Sequence, residues 1–249
     1  MLPLNTIYNQ DCLEGMKLID DKSIDMILCD LPYGTTACKW DVIIPFEPLW
    51  EQYKRIIKDN GAIVLTASQP FTSALVMSNI KDFKCELIWE KEQGTNQFLA
   101  KYYPLKKHEN ILVFCKSTPK YNPQFETVKQ KSSIRDKNGG IDLITGTVLK
   151  PTVYDNKGKK YPTSILKFNR ELNNRYHPTQ KPVALFEYLI KTYTNEGDIV
   201  LDNCMGSGTT AIACINTNRN YIGFEINKHY CDIANERIRK AIAEKEVGE

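Results

Sequence analysis

The residues Asp30-Leu31-Pro32-Tyr33 directly follow an apolar run at 24–29 and combine groups that suit one kind of chemistry. An exocyclic aromatic amine is a weak nucleophile because its lone pair is delocalised into the ring. An enzyme must therefore draw that pair out of the ring plane with acceptors for both N–H groups. The Asp30 carboxylate is one acceptor, and Pro32 biases Leu31 towards an extended conformation that turns its carbonyl into a cleft, while Tyr33 offers a flat face. The segment predicts a binding site for a flat substrate that carries an amine, although so short a sequence is also typical of an ordinary turn.

A glycine-rich segment late in the chain could hold a second reactant. The run 199–202 ends a predicted strand at Asp202, Gly206-Ser207-Gly208 permits a tight turn, and Thr209 begins a predicted helix. Backbone amides at such a helix start point into the turn and suit a nucleotide. We predict a cofactor loop here, with a purely structural turn as the alternative.

An acidic residue completes this unit. Glu225 lies 19 residues beyond Gly206, at the end of an apolar run at 221–224, where a carboxylate would bind ribose hydroxyls. An ordinary acidic residue at a helix start is the alternative. The third glycine of a dinucleotide fingerprint is missing, which disfavours NAD and favours a smaller adenosine cofactor.

The elements that must position these loops alternate between strands and helices. Helical spacing of apolar residues occurs from 49 to 57, ended by Asn60-Gly61, and again after Pro182 and from 230 to 242. Short apolar runs without strict alternation indicate strands covered on both faces, at 24–29, 62–66, 86–89, 111–114, 199–201 and 221–224. The pattern predicts an α/β fold with a Rossmann-like, doubly wound, mostly parallel sheet.

A strand order follows from the two loops. If the strand at 199–202 is central, the strand at 221–225 lies on one side with a strand near Ile7-Tyr8 outside it, and the strand at 24–29 lies on the other side. Gly206 and Asp30 then follow the carboxyl ends of neighbouring strands, where open α/β sheets bind ligands.

Composition sets outer limits on the function. The chain has 249 residues, of which 42% are hydrophobic and 25% charged, enough for one α/β domain with a modest insertion. No apolar segment reaches the length of a membrane span, and the first residues lack the pattern of a secretory signal, so we expect a cytoplasmic protein without membrane association. The eight cysteines form no Cys-x-x-Cys pair, so we expect reduced thiols and no metal site.

Basic charge is concentrated in one irregular segment. Residues 116–175 hold 13 Lys/Arg against 5 Asp/Glu, a balance of +8, which leaves 20 against 25, or −5, in the rest of the chain. Aromatic residues are interleaved with these charges, as phosphate tracking and base contacts would require. The segment predicts a nucleic-acid-binding insertion, and a solvated surface insertion is the alternative.

Together these segments resemble the S-adenosylmethionine-dependent DNA adenine-N6 methyltransferases, in the β (permuted) group of amino-methyltransferases. In that family an Asp-Pro-Pro-Tyr tetrapeptide holds the target amine and precedes an Asp-Pro-Phe-x-Gly-Ser-Gly cofactor loop, which is the order found here. Asn9-Gln10-Asp11-Cys12 resembles the segment beside the cofactor adenine, and residues 177–182, His-Pro-Thr-Gln-Lys-Pro, resemble the stretch at its methionine end. The resemblance implies a catalytic domain at 1–115 and 176–249 and a target-recognition insertion at 116–175.

The resemblance also implies the roles of individual residues. The catalytic group is Asp30, Leu31, Pro32 and Tyr33. The residues expected to bind S-adenosylmethionine, without any metal, are Asp11, Cys12, Asp30, Thr179, Lys181, Asp202, Met205, Gly206, Ser207, Gly208, Thr209 and Glu225. For Thr179 and Lys181 a simple helix entry is the alternative, and His177 and His108 are expected to be structural.

Two departures from the family pattern stand out. Leu31 replaces the first proline of the tetrapeptide, which removes a rigid ring but keeps the carbonyl. Asn203-Cys204-Met205 replaces Pro-Phe-x after Asp202 and changes the apolar wall beside the cofactor. We expect the enzyme to stay active with Leu31 in place of proline. We expect the change at 203–205 to alter the affinity for the cofactor.

The function implied is transfer of a methyl group to N6 of adenine in a specific DNA sequence, after the base has left the stack. Alternatives are methylation of cytosine N4, of RNA or of protein glutamine, a non-catalytic DNA-binding relict, and a NAD enzyme. The resemblance allows a homodimer and a cognate restriction enzyme, in the cytoplasm of a bacterium or a phage-infected cell.

Overall fold

The computed structural model describes residues 2–36, 38, 41–127, 132–135, 140–141, 147–149, 152–155, 158–171, 176 and 179–248. The chain divides into two compact units, one formed by 1–122 with 164–249 and a smaller one formed by 123–163. No helix among the described residues is long and apolar enough to cross a membrane.

The larger unit is a three-layer α/β structure. Its elements in chain order are β1 (Thr6–Tyr8), α1 (Cys12–Met16), β2 (Ile24–Asp30), α2 (Phe46–Ile56), β3 (Ile57–Ala67), α3 (Phe71–Ser78), β4 (Phe83–Thr95), a 3₁₀ turn (Gln97–Leu99) and β5 (Lys106–Phe114). The smaller unit follows, with the short strands β6 (Glu126–Thr127), β7 (Ser132–Arg135), β8 (Gly140–Ile141), β9 (Val148–Leu149), β10 (Thr152–Asp155) and β11 (Lys159–Lys160). The larger unit then continues with β12 (Ile165–Lys167), α4 (Val183–Tyr193), β13 (Ile199–Asp202), α5 (Thr209–Asn216), β14 (Asn220–Phe224) and α6 (Lys228–Gly248).

The eight-stranded sheet has the order β1-β14-β13-β2-β3-β5-β4-β12. Only β5 is antiparallel to its neighbours. The prediction of a mostly parallel, doubly wound sheet is confirmed. So is the predicted order around β13, with β14 and then β1 on one side and β2 on the other.

Two apolar clusters cover the two faces of the sheet. Met26 and Leu28 of β2 pack in the cluster that contains α4, α5 and residues of α6, whereas Ile27 and Cys29 pack in the cluster that contains α1, α2 and α3. Successive side chains of a strand point to opposite faces, so a strand covered on both sides is apolar at every position. This is why apolar and polar residues do not alternate in the sequence of these strands.

Two details differ from the sequence-based expectations. Helix α2 ends at Ile56 rather than at Asn60-Gly61, because Ile57 is already extended and pairs with Ile24 of β2. Strand β12 lies within the segment assigned to the insertion, yet it pairs in parallel with β4 of the main sheet. The boundary of the smaller unit therefore falls at 123 and 163, inside the range 116–175.

Gly208 permits close packing of the glycine loop against α6. Its φ is +87°, and a Cβ at this position would lie 3.0 Å from the Cβ of Ala234. A side chain there would meet both backbone strain and steric overlap. Packing of the loop against α6 therefore requires a glycine at position 208.

We expect Gly208→Ala to lower the free energy of unfolding by about 2 kcal/mol or more, from the left-handed conformation and the overlap together. Gly197→Ala is the matched control, because Gly197 has φ +81° but nothing within 4 Å of its Cβ position. It should cost only the conformational part, about 1 kcal/mol. Urea unfolding measures both, and Ala234→Gly should partly rescue Gly208→Ala. Equal losses for the two single variants would refute the packing role.

Candidate active site

The substrate loop and the cofactor loop meet at one edge of the sheet. Strands β2 and β13 are paired in parallel through Met26 with Val200 and Ile27 with Leu201, so both loops leave the sheet on the same side. A cavity of about 900 Å³ lies there. Of the predicted site residues it is lined by Asp11, Cys12, Asp30, Leu31, Pro32, Tyr33, Thr179, Lys181, Asp202, Met205, Gly206, Ser207, Thr209 and Glu225.

The remaining residues considered from the sequence are elsewhere. Gly208 does not line the cavity and instead packs against α6. His108 is exposed on β5 and is likewise not part of the cavity wall. His177 lies outside the described residues. Among the described residues, no cluster of His, Cys, Asp and Glu could hold a metal ion.

Asp30 is held from three sides at the carboxyl end of β2. Its Oδ1 accepts hydrogen bonds from the Tyr33 hydroxyl at 2.8 Å and from the Thr66 hydroxyl of β3. Its Oδ2 accepts a hydrogen bond from Lys181 Nζ at 2.7 Å. A carboxylate has about four acceptor positions, so three donors fix its orientation and leave about one position on Oδ2.

Lys181 belongs to a chain of alternating charges. Its ammonium lies 2.7 Å from Asp30 Oδ2 and 3.2 Å from Glu109 Oε2, and Glu109 Oε1 lies 2.5 Å from Lys91 Nζ. Lys181 and Glu109 therefore form an ion pair. Lys181, expected at the methionine end of the cofactor, here pairs with the substrate-loop carboxylate.

The charge chain shifts the pKa values of two of its members, Glu109 and Lys181. Burial by itself would raise the pKa of Glu109, but the ammonium groups of Lys181 and Lys91 outweigh it and lower the pKa to about 2. Burial would lower the pKa of Lys181, but the carboxylates of Asp30 and Glu109 outweigh it and raise the pKa to about 12. Glu109 and Lys181 are therefore both charged at neutral pH.

Tyr33 is fixed by packing as well as by its hydroxyl. Phe71 of α3 stacks on the ring with centroids 5.3 Å apart, and Lys181 Nζ lies over the ring, 5.6 Å from its centroid. Phe71 therefore leaves at most one face of the ring for a base. Leu31, at the position of the missing proline, is buried in the core.

A carboxylate that the sequence did not single out closes the loop after Tyr33. Asp41 accepts hydrogen bonds from the backbone N–H groups of Gly34, Thr35 and Thr36 at 2.7–2.9 Å. Burial would raise its pKa, but these hydrogen bonds and one from the Thr36 side chain lower it. Asp41 thus holds the cavity wall beside Tyr33 in one conformation.

The cofactor loop is joined to Glu225 by a direct hydrogen bond. The Gly206 N–H donates to Glu225 Oε2 at 2.8 Å, and the Asn227 N–H donates to Oε1 at 2.8 Å. Burial raises the pKa of Glu225. The unit of strand, glycine loop, helix, strand and acid that the sequence predicts is present, and Glu225 lines the cavity beside the loop.

Asp202 shapes the loop from within. Its Oδ1 accepts from the Cys204 N–H at 2.9 Å and its Oδ2 from the Thr210 hydroxyl at 2.5 Å. Burial raises its pKa to about 6. Asp202 therefore connects the end of β13 to the start of α5.

Residues of α2 and α1 contact Asn203-Cys204, where the sequence differs from the family pattern. Tyr53 of α2 donates a hydrogen bond to Asn203 Oδ1 at 2.5 Å, and the Asn203 amide approaches Cys12 Sγ at 3.6 Å. The pKa of the Cys12 thiol is raised through its hydrogen bond with Cys204 and through burial, and burial raises that of Cys29 to about 12. The wall is thus formed by neutral thiols and an amide, and all eight cysteines of the chain are free.

A polar network from α6 also reaches the loop. Arg237 Nη1 donates to the Ser207 carbonyl at 2.6 Å and to the Ser207 hydroxyl at 3.0 Å. Ser207 donates to Gln180 Oε1 at 3.1 Å, and the Gln180 amide donates to Glu171 at 2.7 Å. Arg237 and Glu171 have no local sequence signal, because their partners lie in other elements.

The cavity fits an adenosine cofactor. A Cβ at Gly206, where φ is +55°, would meet only the Cys204 carbonyl at 3.9 Å, so the loop leaves room for a ligand against its backbone. Gln10 Nε2 is buried and has no hydrogen-bond partner among the described residues, and Gln10 also lines the cavity. Asp11 caps α1 through the Leu13 N–H at 2.8 Å. Gln10 Nε2 packs beside Gly15, so the fit to an adenosine cofactor depends on the Gly206 backbone and the Glu225 carboxylate in the cavity wall.

We expect Glu109→Gln to destabilise the protein at pH 7 by about 3 kcal/mol, the value that corresponds to a carboxyl pKa lowered from 4.5 to about 2. A carboxyl with a lowered pKa in the folded state contributes stability above its unfolded pKa and loses it as pH falls. The difference between wild type and variant should therefore shrink between pH 4.5 and 2.

Urea unfolding of both proteins at pH 7 and at pH 3.5 measures this effect. Glu90→Gln is the control, because Glu90 pairs with Lys107 at the surface and its replacement should change stability much less. A loss for Glu109→Gln that does not vary with pH would contradict the electrostatic role.

Comparison with known proteins is consistent with this geometry. A family model for DNA methylases, covering N6 and N4 methyltransferases, matches residues 24–236. The DNA adenine methyltransferase YhdJ of Escherichia coli K12 is 30% identical over 94% of this chain and 82% of its own length. The type II methyltransferase M.HpaI of Haemophilus parainfluenzae is 29% identical over 92% of this chain and 72% of its own length.

Solved structures show the same relationship. The crystal structure of the M1.HpyAVI complex with SAM superposes with a TM-score of 0.62 and 28% identity, covering 93% of this chain and 98% of that one. The cytosine-N4-specific PvuII DNA methyltransferase, at 15% identity and a TM-score of 0.65, shares the fold. Since the family model spans most of the sequence and the cavity suits the cofactor, the chain belongs to the DNA methylase family and is an S-adenosylmethionine-dependent DNA methyltransferase.

Proposed function

We propose that this enzyme methylates the exocyclic N6 amine of adenine in DNA. The observation that carries the proposal is the Asp30 carboxylate, which three donors orient towards a cavity while about one acceptor position on Oδ2 stays open. That position suits one N–H of an amine. The Leu31 carbonyl, next in the chain, would accept from the other.

The residues of the chain act by orientation. With both N–H groups accepted by Asp30 and Leu31, the nitrogen lone pair is directed out of the ring plane. Bound S-adenosylmethionine supplies an electrophilic methyl group on a sulfonium. Because alignment of two reactants accounts for a large part of such a rate enhancement, rigidity at Asp30 matters more than basicity. The amine becomes acidic only as the N–C bond forms and the S–CH3 bond breaks, so that the sulfur leaves as a neutral thioether, and the amine proton then passes to Asp30 Oδ2.

Adenine is favoured over cytosine by two observations. By resemblance, N4-cytosine enzymes commonly carry serine where this chain has Asp30, and the relative YhdJ is named a DNA adenine methyltransferase. The matching family model covers both chemistries, so the base itself must be identified by experiment.

The target base must leave the duplex to react. Asp30 lines a cavity and its side chain is only 22% exposed, so a base inside a stack would not reach it. Extrusion costs a few kcal/mol of unstacking. Stacking on Tyr33 would offset part of this only at a part of the ring that neither Phe71 nor Lys181 covers.

The smaller unit is proposed to contact the DNA target. Residues 123–163 hold 8 Lys/Arg against 4 Asp/Glu. In contrast, Lys120 and Arg170 outside it pair with Asp198 and Glu92. In the described part of the smaller unit, Phe125 contacts Tyr161 with centroids 4.8 Å apart. Basic charge with aromatic residues suits backbone and base contacts.

Two broader inferences follow from the relatives. Several are bacterial type II methyltransferases, so we infer that the enzyme works beside a restriction enzyme in the cytoplasm of a bacterium or a phage-infected cell. A homodimer is expected from the resemblance, and the mass of the protein in solution tests it.

The proposal is tested by incubating the protein with methyl-labelled S-adenosylmethionine and unmethylated genomic DNA, followed by digestion to nucleosides and mass spectrometry. Labelled 6-methyladenine is the expected product. Labelled N4-methylcytosine would keep the mechanism and overturn the choice of base. No labelled base from DNA, with cofactor binding verified, would refute the function.

Replacing Asp30 should separate chemistry from cofactor binding. We expect Asp30→Ala and Asp30→Asn to lower methyl transfer by at least about 10²-fold, because a pre-oriented electrostatic group is lost. Calorimetry should show cofactor binding largely unchanged. Glu236→Gln, at an exposed site on α6, is the control. Loss of cofactor binding in both Asp30 variants would contradict the assignment.

The smaller unit should supply salt-dependent DNA affinity. We expect Lys159→Met combined with Lys160→Met to reduce the slope of log affinity against log salt by about 2, since each phosphate contact contributes roughly one. Both lysines are exposed. DNA titrations at several salt concentrations measure the slope, with Lys240→Met on α6 as the control. An unchanged slope would argue against phosphate contacts here.

A further inference from the structure

The hairpin that joins β4 and β5 exposes large aromatic side chains at its tip. Phe98 is 99% exposed, Tyr102 76% and Tyr103 68%. Large exposed rings grouped on one short turn are typical of a surface that contacts a partner. The tip, residues 96–105, therefore requires an explanation beyond the fold.

The backbone of the tip is ordered by its own hydrogen bonds. The Leu99 N–H donates to the Asn96 carbonyl at 2.9 Å, and the N–H groups of Tyr102 and Tyr103 donate to the Leu99 carbonyl at 2.9 Å. Asn96 adopts a left-handed conformation that starts the 3₁₀ turn. At the base, a Cβ at Gly94 would lie 2.6 Å from Leu105 Cβ, so the two strands approach closely. A compact turn thus presents the rings to solvent.

The charge of the hairpin favours a polyanion as its partner. Residues 94–107 contain three lysines and no Asp or Glu; Lys107 pairs with Glu90 at the base of the hairpin, whereas Lys101 is exposed at the tip. Two copies of such a surface would repel each other, which disfavours self-association through the tip. Aromatic rings combined with lysines are the combination that stacks on bases and follows a phosphate backbone.

The hairpin is continuous with the active site. Thr95 and Lys106, which border the tip on the two strands, and Asn96, its first residue, line the same cavity as Asp30. Lys106 Nζ also contacts the Ser68 hydroxyl, just after the strand that supplies Thr66 to Asp30. The hairpin that carries the exposed rings therefore begins at the wall of the cavity that would receive the target base.

We propose that Phe98, with Tyr102 exposed on the same turn, stacks on duplex bases beside the extruded adenine and so stabilises the opened DNA. This rests on the proposed function and deepens it, because it assigns the surface that compensates for unstacking. An extruded base leaves its neighbours without a stacking partner, and a rigid ring restores that contact.

The test compares Phe98→Ala with wild type on a duplex oligonucleotide that carries the methylation site mapped on labelled genomic DNA. We expect KM for this duplex to rise by about 5- to 150-fold, the range for loss of one base–aromatic stacking contact. With 2-aminopurine at the target position, the fluorescence gained on binding should fall. Phe98→Trp should retain both properties, because it keeps a stacking ring.

Controls separate this inference from the proposed function. Met77→Ala removes a side chain that is 70% exposed on α3 and should leave KM and fluorescence unchanged. If Phe98→Ala has the same KM and the same fluorescence gain as the wild-type protein, the inference is wrong. The proposed function still stands in that case, because it is tested by methylation with the wild-type protein. A change of the free protein from dimer to monomer in Phe98→Ala would also overturn it and assign the tip to self-association. Failure of wild type to methylate DNA would instead refute the proposed function.

Discussion

The largely buried carboxylate of Asp30 is the constraint on which the rest of the site depends. A charge at the end of β2 needs donors and counter-charge, and these come from β3, from the loop at Tyr33 and from Lys181. Lys181 is itself buried and needs Glu109, which in turn needs Lys91. Removing one partner would leave an uncompensated charge in a poorly solvated place. The chain of charges thus makes the orientation of Asp30 a property of three strands and the segment before α4.

The cofactor loop is held by packing and hydrogen bonds rather than by paired charges. Gly208 brings it against Ala234 of α6, Arg237 holds the Ser207 carbonyl, and Glu225 accepts the Gly206 N–H. These contacts come from elements on both sides of the loop and define its shape before a ligand arrives. A site built this way loses little ordering entropy when the cofactor binds.

Catalysis and DNA recognition require side chains in opposite environments. The groups that handle the amine are buried and neutralise one another, whereas the groups proposed to contact DNA are exposed lysines and aromatic rings. Lys120 and Arg170 show the difference, because each is basic in the sequence yet pairs with a carboxylate of the larger unit. Charge in the sequence indicates a nucleic-acid surface only after such pairs are identified.

The sequence by itself determined the fold class, the order of strands around β13 and the positions of the two loops. Apolar runs, glycines and strand-ending acids are local signals, and parallel strands place the residues at their ends on one edge. Only the tertiary structure decided that Lys181 reaches Asp30, that Asn203 is held by Tyr53 and that β12 rejoins the sheet. The first two pairs are separated by 151 and 150 residues, and their contact depends on side-chain direction. No periodicity or spacing along a chain encodes which side chains meet across elements, because that is set by how the elements pack.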